Sequence, residues 1–150
     1  MAKKISKNIH IEVVYASKGN NSNQFRIFFK NQLAGYIDFE EYFDAYWYFE
    51  NYISEEKFLK LFPNSNFINM QLLFIKSDFR RKGLGNILMD NFVKYINKSF
   101  PYTPIYLNAS PFDNDIEPSI SFENLVKFYK RFQFVEIIRQ QFNCQMIKVA

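Results

Sequence analysis

The spacing of apolar and polar positions changes at several points along the chain, and each change marks a predicted element. Residues 9–15 alternate and are rich in β-branched side chains, which predicts a first strand. The runs 25–29 and 33–39 flank the pair Asn31-Gln32 and predict a hairpin. Residues 67–75 form an apolar run broken only twice, which is typical of a strand covered on both faces.

Helical spacing follows in three segments. The segment 54–62 begins at Ser54, a candidate N-cap, and is followed by Pro63, which predicts a short helix. The clearest helix covers residues 84–96, where apolar residues recur every three or four positions. A further helix with one apolar face is predicted over residues 121–132.

The order of these elements predicts the fold class. A short buried strand is predicted at 105–107 and a polar loop at 110–118. The segments 134–138 and 142–149 are predicted to form a closing antiparallel pair of strands. Segment 40–52 is so aromatic that its pattern does not decide between helix and strand. We predict an α/β (α+β) sandwich of helices on a mixed sheet, with residues 1–150 as a single domain.

Composition narrows the class of protein further. Apolar residues make up 48% of the chain and aromatic residues 20%, which favours a packed core over disorder. The net charge of +4 does not distinguish an anionic cofactor from a weak preference for nucleic acid. One cysteine, Cys144, excludes an internal disulfide, and with one histidine it argues against a metal site. We find no secretion signal or membrane-spanning run and expect a cytoplasmic protein without membrane contact.

The turn between the 67–75 strand and the 84–96 helix carries the most chemistry. A helix start offers unpaired N–H groups and the positive end of the helix dipole, which together bind phosphate. Gly83 and Gly85 let backbone approach a ligand closely, and the run 80–82 adds three positive charges. The alternative is a basic turn that only begins a helix. A P-loop and a dinucleotide fingerprint both fit poorly, because the Ser/Thr of the first and the third glycine of the second are missing.

Two segments resemble the GNAT superfamily of N-acetyltransferases. Segment 73–85 resembles the family signature, a strand followed by Arg/Gln-x-x-Gly-x-Gly/Ala at a helix start. Segment 125–134 resembles the later helix that ends in Tyr-x-x-x-Gly-Phe, although Gln133 replaces the glycine. The family's usual asparagine near the start of that helix falls at Phe122. The resemblance covers residues 67–149 well and the first third loosely.

This resemblance implies a fold, a co-substrate and a set of site residues. The implied fold is a mixed, mostly antiparallel sheet flanked by helices, with its central strands splayed, and residues 40–63 form an aromatic insertion in it. The implied co-substrate is acetyl-CoA or another acyl-CoA, whose pantetheine arm would follow exposed strand backbone and whose pyrophosphate would rest on helix amides. Tyr129 stands at the general-acid position, although its place on an apolar face also suits a core tyrosine. The implied cofactor-binding residues are Leu73, Ile75, Arg80, Arg81, Lys82, Gly83, Leu84, Gly85 and Asn86.

The general base and the acceptor stay unassigned at this point. Gln71 stands where the family often carries a glutamate, and Asp38, Glu40 and Glu41 are substitutes by position only. We expect an amine-bearing small molecule or protein as the acceptor. The insertion's aromatic cluster either walls an acceptor pocket, or forms a lid over the sheet or a homodimer contact; it comprises Tyr42, Phe43, Tyr46, Trp47, Tyr48, Phe49 and Tyr52.

Two other functions compete with acyl transfer. Because a glutamine cannot accept a proton, Gln71 also suits a GNAT fold that binds acyl-CoA without transferring the acyl group. The third-ranked hypothesis is a nucleic-acid-binding module, which would combine residues 80–82 with Lys127, Lys130 and Arg131. Those two basic clusters carry no recognition motif.

Overall fold

The computed structural model of the chain describes residues 2–17, 22–111 and 120–150. Within these residues, eight strands form one sheet and four α-helices cover it. The strands are β1 (Ala2–Lys4), β2 (Ile9–Val14), β3 (Asn23–Phe29), β4 (Gln32–Tyr42), β5 (Phe67–Ile75), β6 (Ile105–Ala109), β7 (Val135–Arg139) and β8 (Cys144–Lys148). The helices are α1 (Ala45–Phe49), α2 (Glu55–Leu61), α3 (Leu84–Ser99) and α4 (Phe122–Lys130), and a 3-10 turn covers Ser77–Phe79. The predicted loop at 110–118 lies mostly outside the described residues.

The sheet has the order β1-β2-β3-β4-β5-β6-β8-β7. Every neighbouring pair is antiparallel except β5 and β6, which are parallel. The predicted mixed, mostly antiparallel sheet is therefore confirmed. Strand β1 was not predicted, because three residues are too few to produce an alternating pattern.

Local capping and turn chemistry explain several element boundaries. The Ser54 side chain accepts a hydrogen bond from Lys57 N, and Ser121 accepts one from Asn124 N, so both predicted helices begin at a serine cap. The β3–β4 hairpin turns at Lys30 and Asn31, which have φ of 49° and 66°. Two left-handed residues suit the right-handed twist of the strands, so the turn lies one residue before the predicted Asn31-Gln32 pair.

Alternate residues of the central strands contribute to two separate cores on opposite faces of the sheet. Ile105 and Leu107 belong to the larger core, which α3 and α4 cover. Tyr106 belongs to the smaller, aromatic core, which α1 and α2 cover. The predicted insertion 40–63 therefore consists of the end of β4 followed by two short helices packed on the second face. In the described part of the chain, no helix is long and apolar enough to cross a membrane.

A β-bulge interrupts β5 where the predicted splay begins. The β4–β5 register passes from Asp38 opposite Leu72 to Phe39 opposite Met70, so Gln71 has no partner on β4. On its other side, β5 pairs with β6 only through residues 68–70. The two strands separate beyond that point, which confirms the predicted splay.

Candidate functional site

The backbone of β5 beyond the bulge faces the gap between β5 and β6. Lys76 N donates to Ala34 O at 2.8 Å, which makes these two residues a hydrogen-bonded pair of the β4–β5 ladder. Antiparallel ladders alternate bonded and non-bonded pairs, so every second residue back along β5 also bonds to β4. Leu73 and Ile75 are the residues between, and their N–H and C=O groups point away from β4. The structure thus gives Leu73 and Ile75 the orientation that a pantetheine arm would need.

Arg80 ties the following turn to the end of β5. Its Nε donates to the carbonyl oxygen of Ile75 at 2.9 Å. The Ile75 carbonyl is therefore partly committed within the protein, although a carbonyl oxygen has a second lone pair for another donor. Arg80 consequently has a positioning contact in addition to the phosphate-binding role that the sequence suggested.

The first turn of α3 presents amides for which the described residues outside the helix supply no acceptor. Gly83 is the N-cap residue, has a left-handed backbone (φ 73°, ψ 11°) and makes no side-chain cap. The first hydrogen bond of the helix is donated by Ile87 N to the carbonyl oxygen of Gly83, at 3.2 Å. The amides of Leu84, Gly85 and Asn86 precede this bond, and none of them has an acceptor among the described residues outside the helix. Free amides at the positive end of a helix form an anion site.

These amides open into a cleft of about 560 Å³ between the turn and α4. Its cationic side chains come from both sides, and no Asp or Glu is among the described residues that line it. The lining comprises Ile75, Phe79, Arg80, Arg81, Gly83, Leu84, Gly85, Asn86, Ile120, Asn124, Lys127, Phe128 and Arg131. The donor set therefore suits a polyanionic ligand with apolar parts.

The structure divides the basic residues differently from the sequence. Lys82 does not line the cleft; its Nζ lies 5.7 Å from the centre of the Phe29 ring. Lys130 forms a 2.7 Å ion pair with Glu136. Lys127 and Arg131 instead face the same cleft as the turn, so the two basic clusters are not independent.

Three polar residues of α4 and its C-terminus line the cleft: Asn124, which sequence reasoning missed, and Lys127 and Arg131, which it had assigned only to the nucleic-acid hypothesis. Their spacing of three and four residues places them on one helix face, and this was the available signal. Asn124 lies two residues after Phe122, where the family's asparagine was expected. A polar side chain from α4 is thus available after all.

Tyr129 lies in the gap between the splayed strands. It lines a small cavity together with Gln71 and Leu73 of β5 and Asn108 of β6. Its side chain is 3% exposed and packs edge-on against Phe134, with ring centres 5.9 Å apart. Tyr129 is therefore both a core residue and a residue of the gap, so the two alternatives considered for it are compatible.

No carboxylate lines this small cavity among the described residues. Asp38 and Glu40 flank the bulge on the neighbouring strand, opposite Leu72 and Asn69. Asp38 accepts a hydrogen bond from Gln24 Nε2 at 2.9 Å. Burial, followed by the charge of Glu40, raises the pKa of Tyr42. The substitutes for a base are thus near the bulge, and none of them lines the cavity that holds Tyr129.

The aromatic cluster of the insertion divides into a packed half and an exposed half. Tyr42 stacks on Phe67 with ring centres 5.1 Å apart, and Phe49 is fully buried in the second core. Phe43 and Trp47 are each 73% exposed. The packed half is the expected lid over the sheet, whereas the exposed half leaves the pocket-wall and dimer alternatives open.

Two other residues considered from the sequence, Cys144 and His10, pack against neighbouring side chains. Cys144 is fully buried, and burial raises the pKa of its thiol to about 11, with the neighbouring Glu136 as a smaller cause. This confirms the expected small core residue. His10 stacks on Phe28 with ring centres 4.6 Å apart, far along the sheet from the gap.

Comparison with known proteins establishes the fold. No family model and no curated protein sequence matches the chain. Among solved structures, an acyl-CoA N-acyltransferase from Pseudomonas aeruginosa is 16% identical, with TM-score 0.54 over 86% of this chain and 69% of that one. Naa50 from Arabidopsis thaliana, in complex with the bisubstrate analogue CoA-Ac-MVNAL, is 15% identical, with TM-score 0.53 over 85% and 72%. A point mutant of KacT is 12% identical, with TM-score 0.58 over 93% and 94%. The chain has the GNAT N-acetyltransferase fold.

Proposed function

We propose that this protein transfers an acetyl or related acyl group from acyl-coenzyme A to a primary amine. One observation carries the proposal: the cationic cleft at the α3 amides reaches Ile75 at the end of β5, and the small cavity that holds Tyr129 includes Leu73, two residues earlier on the same strand. The cleft suits the phosphates, and the strand backbone suits the amide groups of pantetheine, which would pair with it as an added strand does. The acyl-CoA N-acyltransferase and Naa50 structures share the fold, which supports the same assignment.

The residues present have defined parts in this reaction. The amine nitrogen attacks the thioester carbonyl, an amide bond forms, the carbon–sulfur bond breaks, and the thiolate leaves. A strand N–H near Ile75 would stabilise the oxyanion, since donors fixed before the reaction are effective there. The Tyr129 hydroxyl would give its proton to the departing sulfur.

In this proposal, the proton of the attacking amine is not taken up by a glutamate at position 71. A glutamine accepts no proton, so Gln71 would orient the amine or a water molecule through its amide group. We therefore propose that the amine enters in its neutral form. Its proton would leave to water after attack.

Binding and transfer can be tested separately. Acetyl-CoA and longer acyl-CoAs should raise the melting temperature, because ligands that bind the native state stabilise it. Transfer is followed as free CoA thiol released in the presence of a panel of amines, with a thiol reagent as the readout. The one protein thiol, Cys144, is buried and should contribute no background.

The decisive variant is Tyr129→Phe, with Tyr102→Phe as the matched control because Tyr102 is 74% exposed. We expect Tyr129→Phe to lower turnover about a hundredfold or more while acetyl-CoA binding is kept. The control should behave as the wild type. Equal turnover in both variants would remove Tyr129 from the mechanism.

Gln71 favours one competing function, acyl-CoA binding without transfer. In that case acetyl-CoA would stabilise the protein, but no amine in the panel would accelerate thiol release. The nucleic-acid hypothesis is less well supported, because Lys127 and Arg131 share a cleft with the α3 amides instead of forming an extended track. Salt-sensitive oligonucleotide binding that CoA does not displace would revive it. A cytoplasmic location and a homodimer stay predictions.

A further inference from the structure

A second basic cleft lies on the far side of β4 from the gap. It has a volume of about 540 Å³ and is formed by β1, the β1–β2 turn, the start of β2 and the β3–β4 turn. Four lysines and one histidine line it, and no Asp or Glu is among the described lining residues. The lining comprises Ala2, Lys3, Lys4, Ser6, Lys7, Asn8, Ile9, His10, Lys30 and Asn31.

The lysines reach this cleft from three separate segments. Lys3 and Lys4 belong to β1, Lys7 to the β1–β2 turn, and Lys30 to the β3–β4 turn. A hydrogen bond from Lys30 N to Asn8 O at 2.7 Å holds the two turns together. None of the four lysines forms an ion pair with a carboxylate in the described part of the chain. Lys3 and Lys4 are consecutive on β1, so their side chains point to opposite faces of the sheet. With no carboxylate among the described lining residues, the cleft still carries a positive charge that attracts anions.

Protection of the sheet edge explains only part of this arrangement. Lysines on an edge strand discourage pairing with another chain, and this accounts for Lys3 and Lys4 on β1. Lys7 and Lys30 lie on turns, where no strand edge needs protection. Protection of the edge strand therefore does not explain why Lys7 and Lys30 lie at the same cleft.

The cleft is distinct from the acyl-CoA site, although the two are neighbours. They share no lining residue. The Phe29 ring lies between them, with Lys30 Nζ 5.5 Å and Lys82 Nζ 5.7 Å from its centre. Lys30 of the second cleft and Lys82 of the turn before α3 therefore lie near the same aromatic ring.

We propose that this second cleft binds a short phosphate chain, such as inorganic tripolyphosphate or the triphosphate of a nucleotide. Ammonium groups form charge-assisted hydrogen bonds with phosphate oxygens, and a chain of phosphates reaches several lysines at once. The cleft volume lies within the range of small-ligand sites. The proposal does not depend on acyl transfer, because it uses none of the residues assigned to that reaction.

Tripolyphosphate binding to the full chain, measured by calorimetry, tests this proposal. The second cleft accounts for the part of that binding that is lost when its lysines are replaced. The test variant is Lys7→Gln with Lys30→Gln, and the control is Lys57→Gln with Lys60→Gln on α2, which removes the same charge elsewhere. We expect the test variant to bind about tenfold or more weakly and the control to bind as the wild type does.

A second titration with ATP identifies the source of the phosphate chain. Equal affinities would show that the phosphates alone are recognised, and tighter ATP binding would show that a nucleotide is preferred. Three results would overturn the proposal: no binding of tripolyphosphate to the wild type, equal losses in both double variants, or saturable binding only of long oligonucleotides. Melting temperatures of both variants check that exposed lysines were removed without unfolding.

Discussion

Replacing Gly83 tests whether the left-handed N-cap fixes the amides of α3. Gly83 has φ of 73°, and its carbonyl accepts the bond from Ile87 N that opens the helix. A Cβ added at this position would meet no protein atom within 4 Å. Gly83→Ala therefore introduces backbone strain without a collision inside the protein.

The size of the effect follows from that geometry. A left-handed backbone costs a residue with a Cβ about 1–2 kcal/mol. In a chain of this length that cost lowers the melting temperature by roughly 2–8 °C if the turn keeps its shape. If the turn relaxes instead, the amides of residues 84–86 move, and the same free energy appears as roughly 5–30-fold weaker acetyl-CoA binding.

Thermal unfolding measures the loss of stability, and calorimetry with acetyl-CoA measures the loss of affinity on the same samples. Gly83→Asn is the matched control, since asparagine tolerates the left-handed region and Asn31 adopts it in this chain with φ of 66°. We expect Asn to restore most of the stability that Ala loses. Unchanged stability and unchanged affinity in Gly83→Ala would refute the assignment of Gly83 as the residue that orients the amides.

Two further predictions concern the strand and the ion pairs that support the site. In Gly35→Ala, the new methyl group would overlap the carbonyl oxygen of Phe74 and lie 2.6 Å from Ile75 Cδ1. Urea unfolding should therefore show a free energy of unfolding lower by about 1–3 kcal/mol. A decrease of less than about 0.5 kcal/mol would contradict the close approach of β4 and β5. Arg139, followed by Lys130, lowers the pKa of Glu136 from 4.5 to about 2. Because the folded-state pKa is depressed, this stabilisation is present above pH 4.5 and is lost as the pH falls towards 2. Glu136→Gln should cost about 1 kcal/mol or less at pH 7 and flatten the unfolding free energy across that acidic window, and an unaltered pH profile would contradict it.

The elements with strong local signals could be predicted from the sequence. Strand β5 has the predicted bounds of residues 67–75, because a nearly continuous apolar run needs no distant partner to be recognised. Helix α3 begins at the predicted Leu84 and extends three residues beyond the predicted end, to Ser99. Polar residues in its last turn carry no periodic signal, so the end was underestimated.

Features that depend on distant pairing could not be predicted in the same way. Helix α1 has the sequence Ala-Tyr-Trp-Tyr-Phe, which shows no apolar periodicity, and it forms because Phe49 is buried against Phe62 and Phe67. The proximity of the turns that carry Lys7 and Lys30 depends on a hydrogen bond between them at one end of the sheet. Arg81 adopts φ of 62° without being a glycine, a conformation that its residue type does not predict.

The bulge at Gln71 connects these observations to the chemistry. Before it, Ile68 N bonds to Pro104 O across the parallel pair, so even-numbered residues of β5 face β6. After it, the odd-numbered Leu73 and Ile75 face the gap, because one extra residue reverses the alternation. Gln71 itself is exposed and pairs with nothing on β4, so packing does not dictate its identity. Because packing does not fix the identity of residue 71, its glutamine is compatible with the proposed attack by a neutral amine, and turnover across the amine panel measures whether this protein is an enzyme.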